Sequence, residues 1–184
     1  MVARDIRGGA TWSPDSRWIA YGGETDEFAN VMVVPVEGGE PRQVSFIPSS
    51  NFGSVQWSAD GTYIVYRTSQ RTEPGEMIKV DLVPTPPTFD EEAFRELFNE
   101  PEQEEDEEQP EEEAPVREPG EPVDAPDEVT IDFEGIRRRG GVVPTGFSVG
   151  SIVLHPDGES GVVTGGGAMH QVTFGPNGDV DIER

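Results

Sequence analysis

Residues 146–150 carry a serine motif that could do chemistry. They read Gly-Phe-Ser-Val-Gly, which fits the Gly-x-Ser-x-Gly pattern of a nucleophile elbow. In that motif a strained turn between a strand and a helix holds the serine hydroxyl ready for attack. The residues after Gly150 read Ser-Ile-Val-Leu, which is typical of a strand and not of a helix. We therefore expect Ser148 in a loop between two repeat units, and a stand-alone serine hydrolase is the third of three hypotheses.

The chain has two histidines, which are the candidates for a general base. His155 occupies the position that Ser13 and Ser58 take in two related turns, which predicts a turn residue. His170 corresponds to Arg42 of the first repeat unit, so we expect it on an outer, fourth strand. Because neither histidine has an evident partner, the sequence indicates no catalytic triad and no catalytic residue.

Acidic residues recur at one position of the repeat, at Asp15, Asp60 and Asp157. They could form a ring of ligands, but aspartate in a tight turn ordinarily caps the turn through its side chain, and that interpretation is favoured. Near the C-terminus a second acidic pattern alternates through Asn177, Asp179, Asp181 and Glu183. It lacks the glycine and the distal glutamate of an EF-hand loop. The sequence therefore indicates no metal site and no cofactor.

The elements that must position these residues come from a repeated phrase. Residues 12–21 read Trp-Ser-Pro-Asp-Ser-Arg-Trp-Ile-Ala-Tyr, and residues 57–66 read Trp-Ser-Ala-Asp-Gly-Thr-Tyr-Ile-Val-Tyr, 45 positions later. A worn third copy runs over residues 154–163. A repeat of this length indicates stacked supersecondary units, each unable to bury its apolar face alone. Short strands separated by turn signals predict an all-β fold, a partial β-propeller of about three four-stranded antiparallel blades.

The repeat predicts a division of the chain into blades and one insert. Residues 1–50 form blade one, with strands at 9–12, 18–21, 31–36 and 42–46, and residues 51–87 form most of blade two. Residues 88–128 are an insert, with a short helix at 89–98 and an acidic disordered segment at 99–128. Residues 129–184 supply a strand that returns to blade two, at 129–133, and a degenerate blade three that closes at 170–174.

Charge and composition exclude several classes of partner. The net charge of the 184 residues is −24, and residues 90–128 account for −17 of it, with 19 acidic side chains against two arginines. No cationic face for nucleic acid or for an anionic membrane is evident, since the only basic cluster, at 137–139, fits a solvated turn or a local partner of acids. The absence of cysteine excludes disulfides and thiolate metal sites.

The compartment stays open at this stage. No apolar run approaches the ~18 residues of a membrane span, and because residues 1–7 contain no apolar h-region we expect no signal peptide on this piece of chain. We expect a cytoplasmic location for the chain as it stands, and a periplasmic one if a longer protein carries an upstream signal.

Three blades are fewer than a closed ring needs, because propellers close with roughly four to eight blades. We therefore expect a fragment of a larger propeller or a chain that completes its ring by association. Self-association through open blade edges is the corresponding partner prediction.

Two sets of residues carry a resemblance to known families. The turns at 12–16 and 57–61, each followed by an aromatic-aliphatic strand that ends in tyrosine, resemble the propeller repeats of TolB-like proteins, as does the segment 35–46. Phe-Asp-Glu-Glu at 89–92, the acidic insert and the run at 129–137 resemble the propeller region of tricorn-type serine proteases and their bacterial relatives. The resemblance implies a segment that gates or channels peptides upstream of a PDZ domain and a protease core. The catalytic residues of that core have no counterpart here.

The first hypothesis is therefore a non-catalytic propeller segment that binds peptides or proteins or gates a substrate, as part of a tricorn-like peptidase. The second is a TolB-like interaction module of the cell envelope. The expected partners are peptides, proteins and the rest of a larger propeller or protease, with no nucleic acid and no membrane insertion.

Overall fold

In the computed structural model the chain forms three antiparallel sheets of four strands each, which fits a partial β-propeller. The structure describes residues 6–25, 28–47, 51–69, 74–84, 120–175 and 180–183. The predicted all-β class with three four-stranded blades is confirmed. The predicted helix at 89–98 lies outside the described residues. Across these ranges there is one helical element, a 3₁₀ turn at Ile136–Arg138, and no helix suited to crossing a membrane.

The first sheet has the order β1-β2-β3-β4 and the second the order β5-β6-β7-β8. In the third sheet the order is β9-β10-β11-β12. The strands are β1 Ile6–Trp12, β2 Trp18–Thr25, β3 Phe28–Pro35, β4 Arg42–Gln43, β5 Asn51–Trp57, β6 Tyr63–Ser69, β7 Glu76–Asp81, β8 Gly140–Val143, β9 Val149–Leu154, β10 Ser160–Gly165, β11 Ala168–Phe174 and β12 Val180–Glu183.

Each first hairpin is closed by the repeated phrase. In the first sheet the Ser13 N–H donates to the carbonyl of Trp18 at 2.9 Å, and in the second the Ser58 N–H donates to that of Tyr63 at 2.9 Å. The His155 N–H makes the equivalent bond to Ser160 at 2.8 Å. The three copies therefore fold alike, although the third has lost the aromatic residues of the other two.

The middle sheet supplies both cores, because successive side chains of a strand point to opposite faces. Ile64 and Tyr66 on β6 face the first sheet and pack in its core. Tyr63 and Val65 on the same strand, with Met77 on β7, pack against the third sheet. All five side chains are buried, so the second sheet is covered on both sides.

The fourth strand of the second sheet differs from the prediction. The sequence pattern placed it at 129–133, but β7 pairs with β8, at Gly140–Val143. Residues 129–133 instead run as extended chain with no strand assignment, and their alternating apolar side chains pack on the core between the first two sheets. The pattern was read correctly as half-buried but wrongly as a ladder strand, because burial alone produces the same alternation.

The third sheet also differs in its strand order. Residues 170–174 were expected to close the blade as its fourth strand, but they belong to β11, the third strand, which pairs with β10. The fourth strand is β12, which pairs with β11 through Val180, Asp181, Ile182 and Glu183. The likeness of 170–174 to 42–46 was therefore misleading, since both runs alternate in the same way.

A long excursion separates the third and fourth strands of the second sheet. The chain leaves β7 at Leu82 and returns to β8 after the 3₁₀ turn. At the stem of the excursion the Asp132 N–H donates to the Leu82 carbonyl at 2.9 Å. The end of the excursion, residues 120–139, is described and lies against the sheets.

Candidate turn-face site

The turns that join the first and second strands of the three sheets lie on one side of the molecule, which we call the turn face. They comprise residues 13–17, 58–62 and 155–159. In an antiparallel sheet the turn between the third and fourth strands falls on the same side as the turn between the first and second. The excursion of the second sheet therefore leaves and re-enters on this face.

Residues 120–129 cross the turn face from the third sheet to the first, and we call them the strap. Strap N–H groups donate to the turn of the third sheet at two points, from Gly120 to Asp157 Oδ2 at 3.1 Å and from Val123 to the Pro156 carbonyl at 2.9 Å. At the other end the Val129 N–H donates to Asp15 Oδ2 at 2.7 Å. The last residues of the predicted disordered segment, 120–128, are thus held in place, and for them that prediction was wrong.

Asp157 is the most heavily used acceptor of the site. Its Oδ1 accepts from the Glu159 and Ser160 N–H groups at 3.0 and 2.8 Å. Its Oδ2 accepts from the Ser160 hydroxyl at 2.5 Å and from Gly120 of the strap. The side chain is buried, so these bonds replace water that it has lost.

Asp15 divides its two oxygens in a similar way. Oδ1 accepts from the Arg17 N–H at 3.0 Å and from the Ser13 hydroxyl at 2.5 Å, which caps the turn. Oδ2 is directed at the strap, where it accepts from Val129. An exposed ion pair at 3.3 Å between Arg17 and Glu128 lies beside this contact. Because both partners are largely exposed, this ion pair contributes little to stability.

Asp60 caps the turn of the second sheet and makes no hydrogen bond to the strap. It accepts from the Thr62 N–H at 3.0 Å and from the Thr62 hydroxyl. Turn capping is therefore the shared role of the three aspartates, as the sequence predicted. Two of the three have the additional role of holding the strap, which the sequence did not reveal.

The hydrogen bonds to the two strap-binding aspartates lower the pKa of both side chains. Burial raises the pKa of Asp157, but the bonds from Ser160, Glu159 and Gly120 outweigh it, so the pKa lies below the ordinary 3.8. Burial likewise raises the pKa of Asp15, and the bonds from Ser13, Val129 and Arg17 together with the Arg17 charge lower it below 3.8. Both side chains are therefore charged acceptors at neutral pH.

The strap also makes an apolar contact with the second sheet. A Cβ at Gly61 would lie 2.6 Å from Val129 Cγ2 and 3.4 Å from Pro126 Cγ, so a side chain at residue 61 would have to displace Val129. Gly61 also has a φ of +72°, which favours glycine. Val129 is buried in the core of the first two sheets, so it anchors the strap there.

A tyrosine connects the second and third turns. The Tyr63 hydroxyl donates to the Gly158 carbonyl at 2.9 Å, across the boundary between two sheets. Burial raises the pKa of Tyr63, and the charges of nearby carboxylates raise it further, so the hydroxyl stays protonated and can donate.

Ser148, His155 and His170 are not brought together. Only His155 belongs to the turn face. Ser148 lies in the loop between β8 and β9, where its hydroxyl accepts from the Gly75 N–H at 2.9 Å. His155 is a turn residue, as predicted, and its Nδ1 accepts from the Asp157 N–H at 3.2 Å. His170 lies on β11, where its ring stacks on Phe147 at 4.0 Å between centroids.

The remaining candidates are distributed as follows. Asp181 and Glu183 lie on β12, whereas Asn177 and Asp179 lie outside the described residues. Among the residues that the structure describes, no group of acidic or histidine side chains is arranged to hold a metal ion. In the arginine cluster, Arg139 pairs with Asp132 and Arg137 lies over the ring of Phe46, so local partners account for two of its three members.

The strap is the element of this face that sequence reasoning missed. Its proline, glutamate and aspartate content indicates disorder, and Gly120, Ala125 and two valines are its other residues. Val129 is the one strap residue buried in the core, and an apolar residue at the end of this acidic run was the available signal that the strap packs.

The three sheets and the shared turn face define a partial β-propeller. No family model matches the chain, and no curated protein matches it. Among solved structures, the chain is similar to a protein of Agrobacterium tumefaciens provisionally named TolB, with 12% identity and a TM-score of 0.48. The match covers 96% of this chain and 47% of that one, so the chain spans about half the length of that structure.

Proposed function

We propose that the chain is a non-catalytic β-propeller segment that binds extended peptide or protein segments on its turn face. One observation carries this proposal: the turn face holds the strap, an extended and proline-rich segment, through its backbone N–H groups. A surface that accepts hydrogen bonds from backbone N–H groups suits extended segments, because their N–H groups are not already used in a helix or a sheet.

The chemistry of the acceptors supports this kind of ligand. Asp15 and Asp157 are charged, and charged acceptors form the stronger hydrogen bonds to N–H groups. Oδ1 of each aspartate accepts bonds from its own turn, and Oδ2 of Asp157 is also held by the Ser160 hydroxyl, so both carboxylates are positioned before a ligand arrives. A proline-containing ligand is itself pre-extended, which lowers the entropy lost on binding.

A peptide supplied in trans tests the proposal. In the full chain, residues 120–128 are replaced by glycine and serine of the same number, and a fluorescent peptide of residues 118–131 is added. We expect saturable binding by fluorescence anisotropy, weakened at least tenfold when the peptide is N-methylated at Gly120, because the methyl group removes the donor to Asp157. Equal binding of both peptides, or no binding to the variant, would contradict the proposal.

The sequence encoded on either side of this chain would distinguish a peptidase segment from an envelope module. We propose that the segment serves a tricorn-like peptidase, which a PDZ domain and a protease core in the same protein would support. A secretion signal without a hydrolase domain would favour the TolB-like envelope module instead. A serine-reactive probe that labels the chain, with labelling lost in Ser148→Ala, would overturn the non-catalytic assignment.

A further inference from the structure

The second sheet ends in an edge strand, β8, that lacks the protection found at the other two outer edges. The last strand of each sheet, β4, β8 or β12, pairs on one side only within the described residues. β4 has two residues, and the guanidinium of Arg42 on it stacks on the ring of Phe133. β12 carries Asp181 and Glu183, and charged side chains on an edge oppose the pairing of a further strand. β8 reads Gly-Gly-Val-Val and has neither feature.

The backbone groups of β8 that face away from the sheet belong to Gly140 and Val142. In an antiparallel pair, residues that bond the partner strand alternate with residues whose N–H and C=O groups point outward. The Asp81 N–H donates to the Arg139 carbonyl at 3.2 Å, so the residues of the outward kind are Gly140 and Val142. Both are exposed, and a Cβ at the intervening Gly141 would meet no atom within 4 Å. The edge is therefore open to a fifth strand.

A cleft of about 520 Å³ lies beside this edge, between the second and third sheets. All four residues of β8 line it, together with Lys79 of β7 and Val180 of β12. Gly141 pairs with Lys79 and shares its face of the sheet, so a residue added opposite Gly141 would direct its side chain into the cleft. The cleft therefore provides a place for one side chain in every two of an added strand.

The side chains that line the cleft carry more positive than negative charge. Lys79, Arg138 and Arg139 line it against one carboxylate, Asp81. Lys79 pairs with Asp81 and Arg139 pairs with Asp132, whereas Arg138 is exposed and has no carboxylate within ion-pair distance in the described part of the chain. The charge of −24 on the whole chain is screened beyond roughly 8 Å at physiological ionic strength, so the nearby Arg138 decides which ligand charge is favoured.

We propose that β8 takes up an extended segment of a partner protein as a fifth strand, and that an acidic side chain of this segment enters the cleft and pairs with Arg138. Main-chain hydrogen bonds to Gly140 and Val142 supply the affinity, and the cleft supplies the preference for a carboxylate, as in other cases of strand addition. The site uses no residue of the turn face or of the strap, so it does not depend on the function proposed above.

Fluorescence anisotropy of the full chain with a labelled peptide tests the site. The probe alternates glutamate with valine over about ten residues, and we expect saturable binding. Val142→Pro should weaken binding about tenfold or more, because proline removes the outward N–H and leaves the bonds between β8 and β7 in place. Val142→Thr keeps that N–H and is the matched control, expected to change binding less than about twofold. Equal effects of the two variants, or no saturable binding to the natural chain, would overturn the proposal.

Methylated probes make the test independent of how well Val142→Pro folds. Residues opposite Gly140 and Val142 bond to the edge, whereas residues opposite Gly141 point into the cleft, so the valines of the probe donate to β8 when its glutamates occupy the cleft. N-methylation of the valines should therefore abolish binding to the natural chain, and N-methylation of the glutamates should preserve it. Equal loss with both probes would contradict strand addition.

The role of Arg138 is tested by a change on each side of the contact. Arg138→Gln should weaken the glutamate probe about two- to fivefold, which is the range of an exposed ion pair. It should leave unchanged a probe that carries glutamine in place of glutamate. Equal weakening of both probes, or none in either, would show that the carboxylate does not pair with Arg138.

Discussion

The turn of the second sheet and the turn of the third sheet begin from the same sequence position and differ in what they hold. Asp60 is exposed and caps its own turn through Thr62 alone. Asp157 is buried, caps its turn in the same way and also accepts from the strap. The repeated aspartate therefore caps its own turn in every copy. Where the strap passes within hydrogen-bond distance, it also binds the strap.

The same comparison distinguishes two ways of holding the strap. At its ends, over the third and first sheets, charged carboxylates accept N–H groups. Over the second sheet, Pro126 and the side chain of Val129 lie against Gly61, and the strap makes no hydrogen bond to Asp60. The polar contacts set the position of the strap along the turn face, and the apolar contact sets its distance from that face.

The largest effect is expected from overpacking the apolar contact between Gly61 and the strap. Gly61→Ala places a Cβ on Val129 and in a left-handed backbone conformation, so it should lower the free energy of unfolding by about 2 to 4 kcal/mol in urea titration. Gly135→Ala is the matched control, because Gly135 has a φ of +71° with nothing near its Cβ, and it should cost about 1 to 2 kcal/mol. Equal losses in both variants would show that the strap does not press on Gly61.

A smaller effect is expected from weakening one end. Asp157→Asn replaces one acceptor oxygen by an NH₂ group, so at least one of the donors around it loses its partner. We expect a loss of about 2 kcal/mol in the free energy of unfolding, measured by urea titration. Asp60→Asn, at the exposed turn, should lose no more than about 0.5 kcal/mol. Similar losses at the two positions would mean that the strap adds nothing to the role of Asp157.

The smallest effect is expected from acid. The pKa values of Asp15 and Asp157 lie below 3.8 in the folded chain, so their contribution is fully present above pH 3.8 and is lost as the pH falls through the folded values. Unfolding between pH 5 and pH 2 should therefore show a steeper loss of stability in the natural chain than in the Asp15→Asn, Asp157→Asn double variant. Parallel curves would contradict the assignment of lowered pKa values.

The repeated phrase was sufficient to predict the first two strands of each sheet. Its turn is a local signal that holds in all three copies, and its aromatic-aliphatic return strand is a local signal in the first two. The fourth strands were not predictable in the same way. β8 begins Gly-Gly and has no alternation, while residues 129–133 alternate because they pack on a core as connecting chain.

The role of the turn face was predictable only in part. Capping by Asp15, Asp60 and Asp157 follows from the chemistry of aspartate in turns. The strap contacts join residues more than 30 positions apart, and 114 positions apart between Asp15 and Val129. No local pattern encodes that pairing, since an N–H donor exists at every residue except proline.

The second sheet is assembled from chain that lies on both sides of the excursion. β5, β6 and β7 precede the excursion and β8 follows it. Four residue pairs between β7 and β8 join the two parts. A single break introduced anywhere in residues 85–119 would thus create two polypeptides that share one sheet, each incomplete without the other. We therefore expect that two separately expressed halves, divided in this segment, can reassemble into the folded protein.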